Sequence, residues 1–447
     1  MDAVKLYLWR EKVTGSCKMD QPIMNDIHRT RVLFSDMLNL PRGKYVPIEV
    51  AAGGSIGFAR GAFAVSYDRD LLPVPGCGVY DGLPDMELIL DDERRKSWQP
   101  GTEIALGDLH LEDGPFGLCP RGVLKNAVNN WVDMGYNPMI GLETEAYVFQ
   151  RDVDGIWRPY DTPGAFVYGT GPENDPKGVL DDIWDAANKA DIPIESMNGE
   201  FDNGQFELTL RFSGALKACD DAFLLRSMVR EIGLKKGLLL TFLPKPIPDR
   251  GGSGLHVNFS FCDKDGNNVI APAGNLSDLA KQCMAGLIHH HQALAGLLAT
   301  TVNSYDRLSA GSLAGYWANW ANDHRLVTTR CSTGSAKSAR LEHRMADCAT
   351  NPYQATASVL QAARLGVASR MSLQSPEDLD GLENVREKRH VPSGLDKSMI
   401  ALDKDIKLRK AVGEAYCDAL IYLKRDEFKR LSGKSVDEVR DFYLPFI

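Results

Sequence analysis

Four separated segments of the chain alternate polar and apolar residues, and this period of two constrains the fold more than any other feature. Side chains along a strand point alternately to opposite faces, so residues two apart share a face. In Ile140–Phe149, Glu143, Glu145 and Tyr147 share one face and Leu142, Ala146 and Val148 the other. In Gln205–Phe212, Gln205, Glu207, Thr209 and Arg211 oppose Phe206, Leu208, Leu210 and Phe212. In Gly254–Phe261, His256, Asn258 and Ser260 oppose Leu255, Val257, Phe259 and Phe261. In Ala339–Met345, Arg340, Glu342 and Arg344 oppose Leu341, His343 and Met345. For any one segment the simplest meaning is a half-exposed strand with a solvated polar face. Together, however, the polar faces are selectively Glu, His and Arg, with no Lys, and three of them lie beside Gly-rich turns. Carboxylates with a histidine are donors that suit Mg2+ or Mn2+. Interleaved arginines suit planar oxyanions such as phosphate or carboxylate. The pattern predicts a strand-lined cavity for metal and phosphate.

The rest of the chain supplies the frame. The first hundred residues are rich in Gly and Pro, with short apolar stretches such as Arg31–Phe34 and Met86–Leu90, and predict a small strand-rich domain. Pro120 and Gly135 then bracket a helical pattern, which places a boundary near residue 115 and divides the chain into 1–115 and 116–447. Further helices are expected over Ala215–Leu240, Leu276–Thr300, Pro352–Ser372 and Lys404–Arg430. Strands fall between them without regular alternation, so the larger domain reads as α+β. A hydrophobic content of 44% excludes intrinsic disorder, and a net charge of −9 argues against a nucleic-acid binder, which needs a basic face. The nine cysteines are scattered with no CxxC pair, as in a reduced intracellular protein. Met1–Lys12 lacks the apolar core of a signal peptide, and no apolar run reaches the roughly 20 residues that span a bilayer. A cytoplasmic protein with no membrane partner is expected.

Read in order, a series of motifs resembles the glutamine synthetase family. RVLFSDMLNLPRGKYVP (31–47) resembles its N-terminal strand and loop, and DLHLEDGPFGLCPRGVLKNA (108–127) its passage into the catalytic domain. GLETEAYVF (141–149) resembles G-x-E-x-E-F, GEFDNGQFE (199–207) resembles E-x-x-x-G-Q-x-E, and GGSGLHVNFS (251–260) resembles N-G-S-G-x-H. NSYDRL (303–308), RLVTTR (325–330) and KSARLEHRMADCATNPY (337–353) resemble its substrate, nucleotide and phosphate segments. The resemblance implies a β-grasp-like N-terminal domain, a catalytic domain with a strand-lined cavity, ATP, and two or more Mg2+ or Mn2+ ions. It assigns Glu145, Glu200 and Glu207 to one metal and Glu143, His256 and Glu342 to the metal bound with ATP. Arg307 and Arg344 match substrate-carboxylate and phosphoryl contacts. Arg325, counted with them as catalytic, matches nucleotide and phosphate contacts, as do Arg330, Lys337 and Arg340, and Asn258 and Ser260 fall on the nucleotide side. It further implies a homo-oligomer, a dodecamer of two hexameric rings, acting on glutamate and a small amine through γ-glutamyl phosphate.

Three departures bear on the substrate. Where the family's ammonium-site glutamate is expected, the loop RLSAGSLAG carries Leu313, which can neither attract ammonium nor act as a base. Gly251 replaces an asparagine that touches glutamate. The aspartate that reaches a neighbouring subunit has no clear match among Asp68, Asp70 and Asp81. The leading reading is therefore a ligase joining glutamate to an organic amine such as a polyamine, ethanolamine or an alkylamine. A glutamine synthetase using ammonium is the alternative, and an inactive structural relative a third, against which the retention of all six ligands weighs. Other features have plain readings. His289–His291 is expected on a solvated or subunit-facing helix, Cys119 as a small buried residue, and His343 as a satisfied core histidine. Arg386–Arg389 reads as a solvated loop, and Gly251–Gly254 is not a Walker loop because no Gly-Lys-Ser/Thr follows.

Overall fold

The computed structural model describes residues 27–91, 96–162, 164–378 and 385–447. Met1–Lys12 and Cys17 lie outside them. Before residue 116 the chain forms two sheets. β1 (Arg29–Ser35), β2 (Pro41–Pro47), β5 (Lys96–Gln99) and β6 (Thr102–Ala105) are ordered β2-β1-β6-β5, two antiparallel hairpins joined through a parallel central pair, which is the strand order of a β-grasp sheet. β3 (Ser55–Ala59), β4 (Asp85–Leu90), β7 (Gly107–Leu111) and β8 (Gly114–Pro115) form the second, ordered β3-β4-β7-β8. Phe34, Phe58, Phe63 and Phe116 fill the space beneath, with Phe34 edge-on to Phe58 and Phe63 edge-on to Phe116 at centroid separations of 5.0 and 5.1 Å.

The larger domain is built on a ten-stranded sheet among the described residues. Its strands are β9 (Asn137–Arg151), β10 (Trp157–Pro159), β11 (Ile194–Gly199), β12 (Gln205–Leu210), β13 (Ser213–Gly214), β14 (Leu238–Thr241), β15 (Leu255–Cys262), β16 (Trp320–Asn322), β17 (Thr329–Ser332) and β18 (Arg340–His343). The main order is β11-β12-β9-β15-β18-β17-β16, with β10, β13 and β14 pairing along the long β9. All four alternating segments are strands of this one sheet, with ends moved by a few residues. β12 stops at Leu210, so Arg211 leaves the polar face and its N–H bonds Pro193 O at 2.9 Å. β18 stops at His343, so Arg344 follows the strand rather than belonging to it.

The apolar faces meet helices. On β15, Val257, Phe259 and Phe261 are buried, and Phe261 stacks at 4.0 Å on Trp131 of the helix Pro120–Val132. Trp131 Nε1 donates to Leu360 O at 2.9 Å, joining that helix to the buried helix Pro352–Ala368. All four helices expected beyond residue 200 end early or divide, the pattern over Pro352–Ser372 stopping at Ala368. Ala215–Lys235 ends where Gly237 takes φ +72°, and the apolar run that follows joins the sheet as β14. The pattern over Lys404–Arg430 divides at Gly413 into Ile406–Val412 and Glu414–Leu431. The pattern over Leu276–Thr300 divides at His290 into Asp278–His289 and His291–Leu298. There the expected solvated histidine tract is corrected: His290 and His291 are buried, His290 Nδ1 lies 2.6 Å from Asp405 Oδ2, and His291 Nε2 lies 3.0 Å from Tyr316 O. Cys119 is buried and its thiol titrates above the usual range because of that burial. His343 is buried, with Nδ1 3.1 Å from Thr329 Oγ1, but its Nε2 has no protein partner among the described residues. No helix among the described residues is long and apolar enough to cross a membrane.

Arg121 joins elements that lie before and after residue 116. Its Nε and Nη2 reach Asp220 at 2.9 and 3.0 Å, its Nη2 reaches Asp91 at 2.9 Å, and its Nη1 bonds Asp108 of β7. Tyr353 donates to the same Asp220 at 2.8 Å. Removing one partner of a buried ion pair leaves the other charge uncompensated. Arg121→Met is therefore expected to cost about 3–5 kcal/mol of stability, read as a lowered urea midpoint. A midpoint within the scatter of the parent would contradict this.

Candidate metal and nucleotide site

Cross-strand register assembles the site. Glu207 of β12 stands opposite Glu145 of β9, and Thr209 opposite Glu143. On the other edge of β9, Glu143 stands opposite His256 of β15. Asn258, next on that face, stands opposite Glu342 of β18, which in turn stands opposite Arg330 of β17. Glu200 enters from the turn after β11. Donor atoms of Glu143, His256 and Glu342 lie within 4.8 Å of one another, as do those of Glu145, Glu200 and Glu207. His256 is the hinge between the sets: Nδ1 is 2.8 Å from Glu143 Oε2 and 3.8 Å from Glu342 Oε1, while Nε2 is 3.8 Å from Glu145 Oε1. These are not solvated strand faces. Glu145, His256, Asn258 and Glu342 are all less than a tenth exposed.

Five carboxylates in so small a volume repel one another, and the surroundings answer them unequally. Glu342 accepts from Arg344 and, at 2.9 Å, from Arg330 Nη1. Glu145 Oε2 accepts the Gly254 N–H at 2.7 Å. Glu143 accepts from Asn258 Nδ2 at 2.9 Å and faces the His256 ring. Burial alone would raise Glu143, but the His256 hydrogen bond and charge outweigh it and hold the carboxyl at about 2. Among the described residues Glu207 has only a hydroxyl donor, Thr209 Oγ1 at 3.1 Å. Burial, then the charges of Glu143 and Glu145, push it up to about 7. Burial and Glu145 likewise raise Glu200. A site of carboxylate oxygens and one imidazole, with no thiolate donor, fits a hard divalent cation, which would stand where Glu207 otherwise holds a proton.

The turn before β15 sets the close packing at this pole. Cys348 Sγ donates to Gly254 O at 2.9 Å and accepts from Glu145 N at 3.3 Å. Arg307, on the short helix Ser304–Arg307, is buried with Nη1 and Nη2 bonded to Met345 O and Arg344 O at 2.9 and 3.2 Å. A side chain at position 254 would begin 2.7 Å from Arg307 Nη2 and 2.8 Å from His256 Nε2, so the backbone passes there only as glycine.

On the far side of Glu143 a cleft of about 240 Å3 opens. Of the residues assigned to the nucleotide, Asn258, Ser260, Lys337 and Arg340 line it, and Arg340 Nε bonds Asn258 Oδ1 at 3.0 Å. Arg330 lies between Glu342 and Asp323, an aspartate that sequence reasoning passed over. Arg325 stands apart, exposed on the loop after β16. Leu313 is 52% exposed, and its carbonyl oxygen accepts from Arg344 Nε and Nη2, both at 3.3 Å. Arg344 thus joins this loop to Glu342. Asp68 and Asp70 both bond Arg430 within the chain, and Asp81 caps a short helical turn. Tyr147 and Asp202 were also missed as site residues; Tyr147 shares the face of Glu145, and Asp202 lies between two of the assigned ligands.

Known proteins resemble this chain in sequence and in fold. Residues 117–443 match the family model of the glutamine synthetase catalytic domain. The gamma-glutamylputrescine synthetase PuuA of Escherichia coli (strain K12) is 30% identical over 423 residues, covering 90% of this chain and 89% of that one. A glutamine synthetase of Halobacterium salinarum is 31% identical over 373 residues, covering 81% and 82%. The solved structure of GmaS without ligand has a TM-score of 0.80 at 27% identity, covering 93% of this chain and 96% of that one.

Two outcomes are expected. Gly254→Ala displaces His256 and Arg307 together and weakens Mn2+ binding, measured by calorimetry, by about tenfold or more. Glu207, raised in the folded chain, contributes stability below its unfolded value that is lost as pH rises through about 7. A cation replaces the missing proton, so the melting-temperature rise given by saturating Mg2+ is larger at pH 8 than at pH 6. Equal rises at both values would contradict the assignment.

Proposed function

The chain belongs to the glutamine synthetase family, and we propose that it is an ATP-dependent ligase forming a γ-glutamyl amide from glutamate and an organic amine. The amine is a polyamine, ethanolamine or an alkylamine. Amide formation from a carboxylate needs a leaving group, and a γ-glutamyl phosphate supplies one. Bound divalent cations supply the charge neutralisation that lets a carboxylate approach a triphosphate. Glu145, Glu200 and Glu207 would hold one ion, and Glu143, His256 and Glu342 another. Arg307 faces the acid substrate from the Gly252–Gly254 side. Arg344, Arg330, Arg340 and Lys337 line the approach to the phosphates with fixed positive charge, and Arg325, apart from them on its exposed loop, is assigned to the same phosphates. Asn258 and Ser260 border the nucleotide cleft. The amine then attacks the acyl carbon, phosphate leaves, and the amine nitrogen gives up a proton.

Leu313 carries the choice of amine. It ends a loop whose backbone is tied to Arg344, and its exposed side chain adds apolar area where a carboxylate would attract ammonium. The kinship with a gamma-glutamylputrescine synthetase supports this reading. The same proposal carries the division at residues 1–115 and 116–447, assembly into a dodecamer of two hexameric rings, and action in the cytoplasm.

Phosphate release with glutamate, ATP and a panel of amines is expected to give a higher kcat/KM for an organic amine than for ammonium. Leu313→Glu should raise kcat/KM for ammonium by about tenfold or more. If ammonium is already the best nucleophile of the parent chain, glutamine synthetase is the right reading.

A further inference from the structure

Asp202 is a carboxylate beside the site that the reaction above does not use. It lies in the turn from β11 to β12, between Glu200 and Glu207. Its Oδ2 accepts the Gly251 N–H and lies 3.3 Å from the Tyr147 hydroxyl, which also reaches Gly251 O at 3.0 Å. A side chain at 251 would begin 2.9 Å from that same Oδ2, so the carboxylate occupies the space beside the glycine. Among the described residues, Oδ1 accepts no hydrogen bond and the carboxylate makes no ion pair.

Arg307, on its own short helix, packs its side chain along the same turn. A side chain at 252 would begin 2.6 Å from its Cγ. Its guanidinium bonds two backbone carbonyls and, among the described residues, no carboxylate. Gln205 Nε2 fixes the intervening strand of chain by donating to Gly252 O at 3.1 Å. An anion beside Gly251 and a cation beside Gly254 are thus held along one turn, each tied to backbone and, among the described residues, with no hydrogen bond or ion pair between them. Had they paired, their charges would cancel; held apart, they complement a ligand that carries both signs on neighbouring atoms. An α-amino acid carries its ammonium and carboxylate on one carbon.

We infer that Asp202 binds the α-ammonium of the acid substrate while Arg307 faces its α-carboxylate, which makes Asp202 the residue that selects amino acids over plain dicarboxylates. The inference rests on the ligase reading and sharpens it. Asp202→Asn keeps the shape and the acceptor for the Gly251 N–H but removes the charge. With Mg2+, ATP and the preferred amine, the variant should raise KM for glutamate by about 10- to 100-fold, the effect of losing a hydrogen bond to a charged group. KM for ATP and for the amine should stay within about twofold, and the preference for glutamate over glutarate, which lacks the ammonium, should fall by the same 10- to 100-fold. An unchanged glutamate-to-glutarate ratio, or a rise confined to the KM of the amine, overturns the role of Asp202 and leaves the ligase reading intact. A parent chain that releases no phosphate with glutamate overturns the ligase reading instead. The two acids are then compared by the melting-temperature shift each gives with Mg2+ and ATP, and equal shifts on parent and variant overturn Asp202 as well.

Discussion

Five carboxylates and one imidazole share the floor of a single sheet, and their mutual repulsion is the constraint around which the catalytic domain is arranged. Glu145 and Glu207 face each other directly across two strands, and Glu143 faces His256 across the next pair. Hydrogen-bonded antiparallel pairing fixes these separations, so the charges cannot relax apart without breaking the sheet. Stability must come from the opposite face, where Val257, Phe259 and Phe261 are buried against helices. The apolar side of the sheet anchors what the polar side strains.

The neutralising groups are distributed unevenly, and this gives the site its direction. Arg330 and Arg344 converge on Glu342 at one end, while Glu207 at the other end has, among the described residues, only a threonine hydroxyl. Arginine suits the first position because its planar fork can serve a carboxylate and a second acceptor at once. Arg344 does so, joining Glu342 to the carbonyl of Leu313. The end left without a cationic side chain is where a divalent ion is most needed. Five of the chain's 60 acidic residues belong to this floor, so part of its formal charge of −9 lies in clusters that could hold a metal ion rather than on a solubilising surface.

Much of the fold and of the clustering of the candidate ligands was legible in the sequence because period-two alternation survives in these strands. The strands carrying Glu143, Glu145, Glu207, His256 and Glu342 could be drawn from pattern, and the motif resemblance grouped those residues with Glu200 into the two sets that the register brings together. Less legible were places where two local signals compete. Leu238–Leu240 continues a helical pattern, yet Gly237 in the left-handed region turns it into β14. His289–His291 reads as polar surface, yet His290 and His291 point inward to Asp405 and Tyr316. Asp202 carried no signal in its spacing, since its partners Gly251 and Tyr147 are remote in sequence.

By itself the sequence determined which residue types line each strand, because alternation and side-chain chemistry are local properties. Tertiary structure alone decided how closely the carboxylates meet, that burial and neighbouring charge raise Glu207 most, and that Leu313 touches the site through its carbonyl. Those outcomes depend on register and on distances between distant segments, and electrostatic effects rise steeply as charges are brought together away from water.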